Sequence, residues 1–176
     1  MTNTIKKFVC VALTVMTALS AAACSKKEES SEEKFPETPA AEVLEAVVKS
    51  QTEFPESLRE KSRNSDGNDK DGWQDTFEFL YDFPAEKVED YAIIYSSVST
   101  ADEITVVRLK SAGDAEDMKK AAEKRVKERT ATFENYGPEE VSKLNGALIK
   151  TEGNYCMLAI SNQTAEAQKA FEEAVK

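Results

Sequence analysis

Histidine is absent from this chain of 176 residues, and cysteine is scarce, with three in all. Without imidazole the chain cannot form a Ser-His-Asp or Cys-His catalytic arrangement, nor a zinc site that needs histidine. We expect Cys10 to be removed with an N-terminal segment and Cys24 to be modified, which leaves Cys156 alone. A single thiol excludes an internal disulfide and a thiolate-ligated zinc or iron–sulfur site. Enzymatic mechanisms would have to rely on carboxylates, lysine, serine or tyrosine.

Positive charge is also in short supply, with 23 Lys and Arg against 33 Asp and Glu. Removal of residues 1–23 would take Lys6 and Lys7 and no acid, leaving 23 − 2 basic residues against 33 acidic ones, a net charge of −12. Such a charge opposes binding to the phosphates of nucleic acids and to an anionic bilayer surface. We therefore expect no nucleic-acid partner and a domain that stands off the membrane.

The N-terminal segment has three parts. Lys6 and Lys7 provide a positive start, residues 8–19 form an apolar run, and the small residues 20–23 precede Cys24. This pattern is typical of a secretory signal peptide. The small residues followed directly by a cysteine resemble the lipobox of bacterial lipoproteins.

That resemblance implies cleavage between Ala23 and Cys24, with diacylglycerol on the Cys24 thiol and Cys24 as the new N-terminus. Two alternatives stay open. An ordinary signal peptidase also accepts the Ala-x-Ala sequence, and the segment could remain as an uncleaved anchor helix. The apolar run is, however, shorter than the ~20 residues that a spanning helix needs. Residues 24–37, charged and nearly free of apolar side chains, are predicted to be a disordered tether, and residues 38–176 a single domain.

An acidic loop after the first predicted helix raises the question of calcium. With Gly72 at the sixth position of an EF-hand loop, carboxylates fall at positions 3, 5, 9 and 12, but Gly67, which has no side chain, falls at position 1. We therefore predict a solvated turn and no metal site, with a calcium-stabilised loop as the alternative. The carboxylates concerned are Asp66, Asp69, Asp71, Asp75 and Glu78.

The densest aromatic cluster follows this loop. Core packing is the expected role, because aromatic side chains bury much area in a small domain. A surface that stacks on a sugar or a peptide is the alternative. The cluster comprises Trp73, Phe77, Phe79, Leu80, Tyr81 and Phe83.

Periodicity and turn residues predict an α+β domain with the element order α-ββ-α-ββ-α. Its sheet is expected to be four-stranded and mainly antiparallel, with two hairpins joined by a long helix and helices packed on it. The long helix opens at Asp114, whose side chain is expected to cap it, and ends at Gly137-Pro138, with Gly137 as the C-terminal cap. It places Lys and Arg of residues 119–129 on a solvated face. Its predicted inner face consists of Ala115, Met118, Ala122, Val126, Phe133 and Tyr136. Two further helices are predicted, at 39–51 and after Asn162 or Thr164. Strands are predicted at 91–96, 103–109, 147–151 and 154–160. The last strand is apolar on both faces, so we expect it to be covered on both sides, with Cys156 buried.

Residues 81–176 resemble the bacterial lipoproteins with domain of unknown function 4358. The resemblance rests on the order and the spacing of four short sequence segments. They are Val88-Glu89-Asp90-Tyr91, Ala101-Asp102-Glu103-Ile104, Asn135-Tyr136-Gly137-Pro138 and Gly153-Asn154-Tyr155. The resemblance implies a lipid-anchored envelope protein and supplies no activity.

The expected function is therefore a non-catalytic binding or structural module of the cell envelope, held by its lipid at the extracytoplasmic face of the cell membrane. Its partner is expected to be an envelope protein or a small ligand, and no catalytic residue, metal or cofactor is assigned. A carboxylate-based envelope hydrolase is the alternative, and it would need two carboxyl groups in one cleft with separated pKa values.

Overall fold

The computed structural model describes residues 36–52, 54, 59–63, 76–96 and 100–176, and for 59–63 and residue 76 only the backbone. Short 3₁₀ helices lie at Ala85–Lys87, Ala112–Asp114 and Pro138–Glu140. None of the helices in these ranges is long and apolar enough to cross a membrane. In chain order the elements are α1 Ala40–Lys49, β1 Arg59–Arg63, α2 Thr76–Tyr81, β2 Val88–Tyr95, β3 Glu103–Leu109, α3 Ala115–Tyr136, α4 Val141–Asn145, β4 Leu148–Glu152, β5 Tyr155–Ile160 and α5 Thr164–Ala174.

All neighbouring strands of the sheet are antiparallel, in the order β1-β2-β3-β5-β4. The hairpins β2–β3 and β4–β5 are joined through α3 and meet along β3 and β5, where Glu103 lies opposite Ile160. The predicted α+β class, with helices packed on an antiparallel sheet, is confirmed. The sheet has one strand beyond the four predicted, because β1 pairs with β2 at one edge. Charged edge strands of this kind resist pairing with other chains.

Helices cover both faces of the sheet. Every residue of β5 is buried, as predicted. Cys156, Leu158 and Ile160 pack in one apolar cluster with residues of α2, α3 and α4. The alternate residues of β5 pack in a second cluster with α1 and α5. The domain therefore has three layers, and its second layer of helices consists of the first and last helices of the domain.

The inner face of α3 differs from the predicted one at its centre and at its end. Ala115, Met118, Ala122 and Phe133 are buried as expected, but Tyr136 is 87% exposed, and Arg125, at 8% exposure, is buried. The prediction of a solvated face was wrong for Arg125 and Arg129. Both side chains point toward the sheet because an acidic side chain of β3 lies beneath them.

The predicted helix caps are only partly right. The Asp114 carboxylate does not cap α3 and instead lies 2.7 Å from the Lys87 ammonium. Gly137 ends α3, but with a φ of −161° it is not in the left-handed region. A Cβ at this position would lie 3.1 Å from the Phe133 ring, which is closer than most Cβ contacts in proteins. The last helix follows Gln163, which makes no side-chain cap.

Candidate functional site

The first residue of β3, Glu103, is a completely buried carboxylate beneath α3. The Arg125 guanidinium forms a bidentate ion pair with this carboxylate, since Nε lies 2.7 Å from Oε1 and Nη2 lies 2.6 Å from Oε2. The Tyr81 hydroxyl donates to Oε1 at 2.5 Å. The Thr105 hydroxyl lies 2.6 Å from the Tyr81 oxygen and 3.2 Å from Oε1, so it can donate to either. Four side chains from α2, β3 and α3 thus converge inside the core.

The charges of this network hold Glu103 ionised. Burial by itself raises the pKa of Glu103, but attraction by Arg125, its hydrogen bonds, Arg129 and the Tyr81 hydroxyl outweigh burial, and the pKa lies below its ordinary value. Burial and the neighbouring carboxylate raise the pKa of Tyr81 well above its ordinary value. Burial lowers the pKa of Arg129, and so does the charge of Arg125. Burial of Arg125 lowers its pKa, but the attraction of Glu103 and the hydrogen bonds to it outweigh burial, so the pKa of Arg125 is raised.

A second ionic cluster lies next to the first and ties β3 to α4. The Lys143 ammonium lies 2.9 Å from both the Asp102 and the Glu140 carboxylates. Glu140 also accepts the backbone N–H of Ala101 at 2.8 Å. Burial works against the charge of Lys143, but these two acceptors outweigh it and raise its pKa. The start of β3 is therefore fixed by ion pairs from both α3 and α4.

A pocket of about 180 Å³ lies beside the first network, between α2 and α3. Arg125 and Tyr81 belong both to the network and to the lining of this pocket. Lys124 and Asp82 form an ion pair of 2.7 Å and also line the pocket. Phe79 contributes a ring that is 84% exposed. The full lining is Phe79, Leu80, Tyr81, Asp82, Ala121, Lys124, Arg125 and Glu128.

Sequence reasoning did not identify this network. Met118, Ala122 and Arg125 follow one another at helical spacing, so the arginine falls on the apolar stripe of α3. Glu103 opens a strand in which apolar residues predominate. These two misplaced charges were the available signal, and an ion pair between them would have been the inference.

The site residues predicted from the sequence lie mostly outside the described residues. Ala23 and Cys24 are among them, as are Trp73 and the carboxylates at 66, 69, 71 and 75 of the proposed calcium loop. Glu78 is described, and its carboxylate accepts the N–H of Ala85 at 3.0 Å. In the part of the chain that the structure describes, no group of three His, Cys, Asp or Glu residues could hold a metal ion. Of the aromatic cluster, Phe77, Tyr81 and Phe83 are buried as expected, but core packing was wrong for Phe79, whose ring faces away from the core at 84% exposure.

The family described as domain of unknown function (DUF4358) matches residues 62–161. Because this match covers more than half of the chain, the chain belongs to that family. The matched segment contains both ionic clusters and the pocket, whereas α1 and α5 lie outside it. No curated protein and no solved structure matches the chain.

Proposed function

We propose that this protein is a lipoprotein anchored at the extracytoplasmic face of the cell membrane, and that its domain is a non-catalytic binding or structural module of the cell envelope. The observation that carries the proposal is the cysteine at position 24, placed directly after a basic start, an apolar run and four small residues. Acyl chains on such a cysteine would anchor the protein stably in the membrane, since two or more acyl chains give stable anchoring whereas a single one binds the membrane only marginally.

The place where the chain enters the domain supports an anchor with a spacer. The Tyr155 hydroxyl lies 2.7 Å from the carbonyl oxygens of both Pro36 and Thr38, which fixes the start of the domain next to β5. Residues 25–35 would then separate the lipid from the domain by at most ~40 Å when extended. With its excess of acidic residues, the domain would be repelled by anionic headgroups and held within that reach.

The buried ionisable groups favour binding over catalysis. A carboxyl that acts as a general acid near neutral pH needs a raised pKa, whereas the pKa of Glu103 is lowered by its ion pairs and hydrogen bonds, which outweigh burial. Burial raises the pKa of the Cys156 thiol to about 12, so it is no thiolate nucleophile. These groups stabilise the domain, while the pocket beside them offers a place for a ligand. No specific observation favours the alternative of a carboxylate hydrolase or that of a calcium-stabilised loop.

Cell fractionation of the full chain tests the proposal. Wild type should be found with the membrane, resist extraction by salt, dissolve in detergent, and be digested by protease added outside cells whose wall has been removed. The Cys24→Ala variant should leave the membrane or accumulate uncleaved. Cys10→Ala, in the same segment, serves as the matched control and should behave as wild type. A Cys24→Ala variant that is processed and located as wild type contradicts the proposal.

A further inference from the structure

We infer that the pocket between α2 and α3 binds one sugar ring of a cell-envelope glycan. This inference rests on the proposed function, which would place the domain where such glycans are found. Three features of the pocket carry it, namely an exposed aromatic ring, hydrogen-bonding groups of both charges, and a size suited to one ring.

The aromatic ring is that of Phe79. In the short helix α2, Phe77 and Tyr81 point into the core at 2% exposure, so Phe79, which lies between them in the sequence, faces away from the core. Its ring is 84% exposed at the edge of a concavity. The face of an aromatic ring is negative and attracts the slightly positive C–H groups on one face of a pyranose. A phenyl ring in this position suits a sugar better than it suits a purely polar ion.

The polar groups of the pocket have both signs of charge. Arg125 uses its Nε–H and one N–H on each terminal nitrogen for Glu103 and the Leu80 carbonyl, and it has five N–H groups in all. The guanidinium that lines the pocket is held in place by the buried Glu103 carboxylate, as a preorganised site requires. Lys124 adds a donor, and Asp82 and Glu128 add acceptors.

This combination selects for a neutral ligand rich in hydroxyl groups. A sugar hydroxyl both donates and accepts, so it can bond to an ammonium and a carboxylate at the same time. Phosphate would meet the carboxylates of Asp82 and Glu128, and a cation would meet Lys124 and Arg125. Asp82 has a φ of 50° because it ends α2 in the left-handed conformation, with its N–H bonded to the Glu78 carbonyl at 2.8 Å. That conformation places its carboxylate against Lys124 in the pocket lining.

The size of the pocket limits how much of a glycan it can hold. Drug-sized ligands occupy pockets of about 300–1,000 Å³. A pocket of about 180 Å³ therefore holds one ring, with the rest of the glycan outside. Most of the selectivity would come from that ring and its immediate substituents.

Titration of the mature protein, purified from membranes in detergent, tests the inference with the tetramer of N-acetylglucosamine and the tetramer of β-glucose as probes. Isothermal calorimetry gives the affinity, and saturation-transfer NMR shows whether ring C–H protons of the sugar contact the protein. Phe79→Ala should weaken binding by about tenfold or more, because the stacking face is lost. Tyr136→Ala removes an equally exposed ring from the far end of α3 and should leave the affinity unchanged.

The possible outcomes separate this inference from the proposed function. Binding of either tetramer that depends on Phe79 and not on Tyr136 supports the pocket assignment, whatever the location of the protein. If neither tetramer binds wild type, or if Phe79→Ala binds as wild type does, the inference is overturned, even when fractionation supports the lipid anchor. Binding by a protein that fractionation finds unanchored would overturn the proposed location and leave the pocket assignment standing.

Discussion

Replacement of Glu103 by glutamine should greatly destabilise the domain, although the two side chains have nearly the same shape. The carboxylate is completely buried and accepts hydrogen bonds from Arg125 and from the Tyr81 hydroxyl. Glutamine keeps one acceptor oxygen but places an NH₂ group against a guanidinium. Arg125 and Arg129 then share a buried region without the charge that compensates them.

The expected loss follows from the cost of breaking a buried ion pair. Removing one partner of such a pair costs about 3–5 kcal/mol, because the remaining charge stays desolvated and unpaired. Solvent screens this pair little, since the Arg125 side chain is 10% exposed and that of Glu103 is fully buried. For a folded domain of roughly 140 residues, each kcal/mol shifts Tm by about 3–5 °C. Glu103→Gln should therefore lower Tm by about 10–20 °C.

Urea unfolding of the full chain, followed by circular dichroism, measures this loss. Glu123→Gln makes the same substitution at an exposed position of α3 and should change the free energy of unfolding by less than about 0.5 kcal/mol. The double variant Glu103→Leu/Arg125→Met removes both charges and should regain part of the stability, because apolar replacements of a whole pair are often neutral or stabilising. If Glu103→Gln unfolds within about 1 kcal/mol of wild type, the buried network does not stabilise the domain and the reasoning is refuted.

Two further predictions follow from the pKa shifts. Because the ion pairs of Glu103 outweigh its burial and lower its folded pKa, the stability it contributes is complete above the ordinary carboxyl pKa and is lost as the pH falls through the lowered value. The urea midpoint of wild type should thus fall more between pH 5 and pH 3 than that of Glu103→Gln, and equal falls would contradict the assignment. Burial raises the pKa of Cys156 to about 12, so iodoacetamide at pH 8 should leave this thiol unmodified in the native protein and alkylate it in urea. Rapid alkylation of the native protein would show that the thiol is accessible.

The regular elements could be predicted from the sequence where burial imposes a pattern. β3 and β5 are rich in apolar and β-branched residues, and both were located within one residue of their observed bounds. β1 was missed because all five of its residues are polar or charged. β1 forms because the edge of β2 is open to pairing, and the sequence of β1 itself contains no signal of that edge.

The ionic network was not predicted, because a charge is buried only where a partner across the fold compensates it, and the sequence does not show which residues meet across the fold. Arg125 occupies the apolar stripe of α3, yet helix composition alone favours a solvated arginine. Only the packing of α3 over the start of β3 places it against Glu103. The prediction for Tyr136 was wrong in the opposite sense. Its spacing fits the apolar stripe of α3, but its ring is 87% exposed at the end of the helix.

The most direct test of the lipoprotein proposal is mass spectrometry of the N-terminal peptide of the mature protein. We expect a peptide that begins at Cys24 and carries diacylglycerol on its sulfur. A peptide that begins elsewhere, or a free thiol on Cys24, would contradict it.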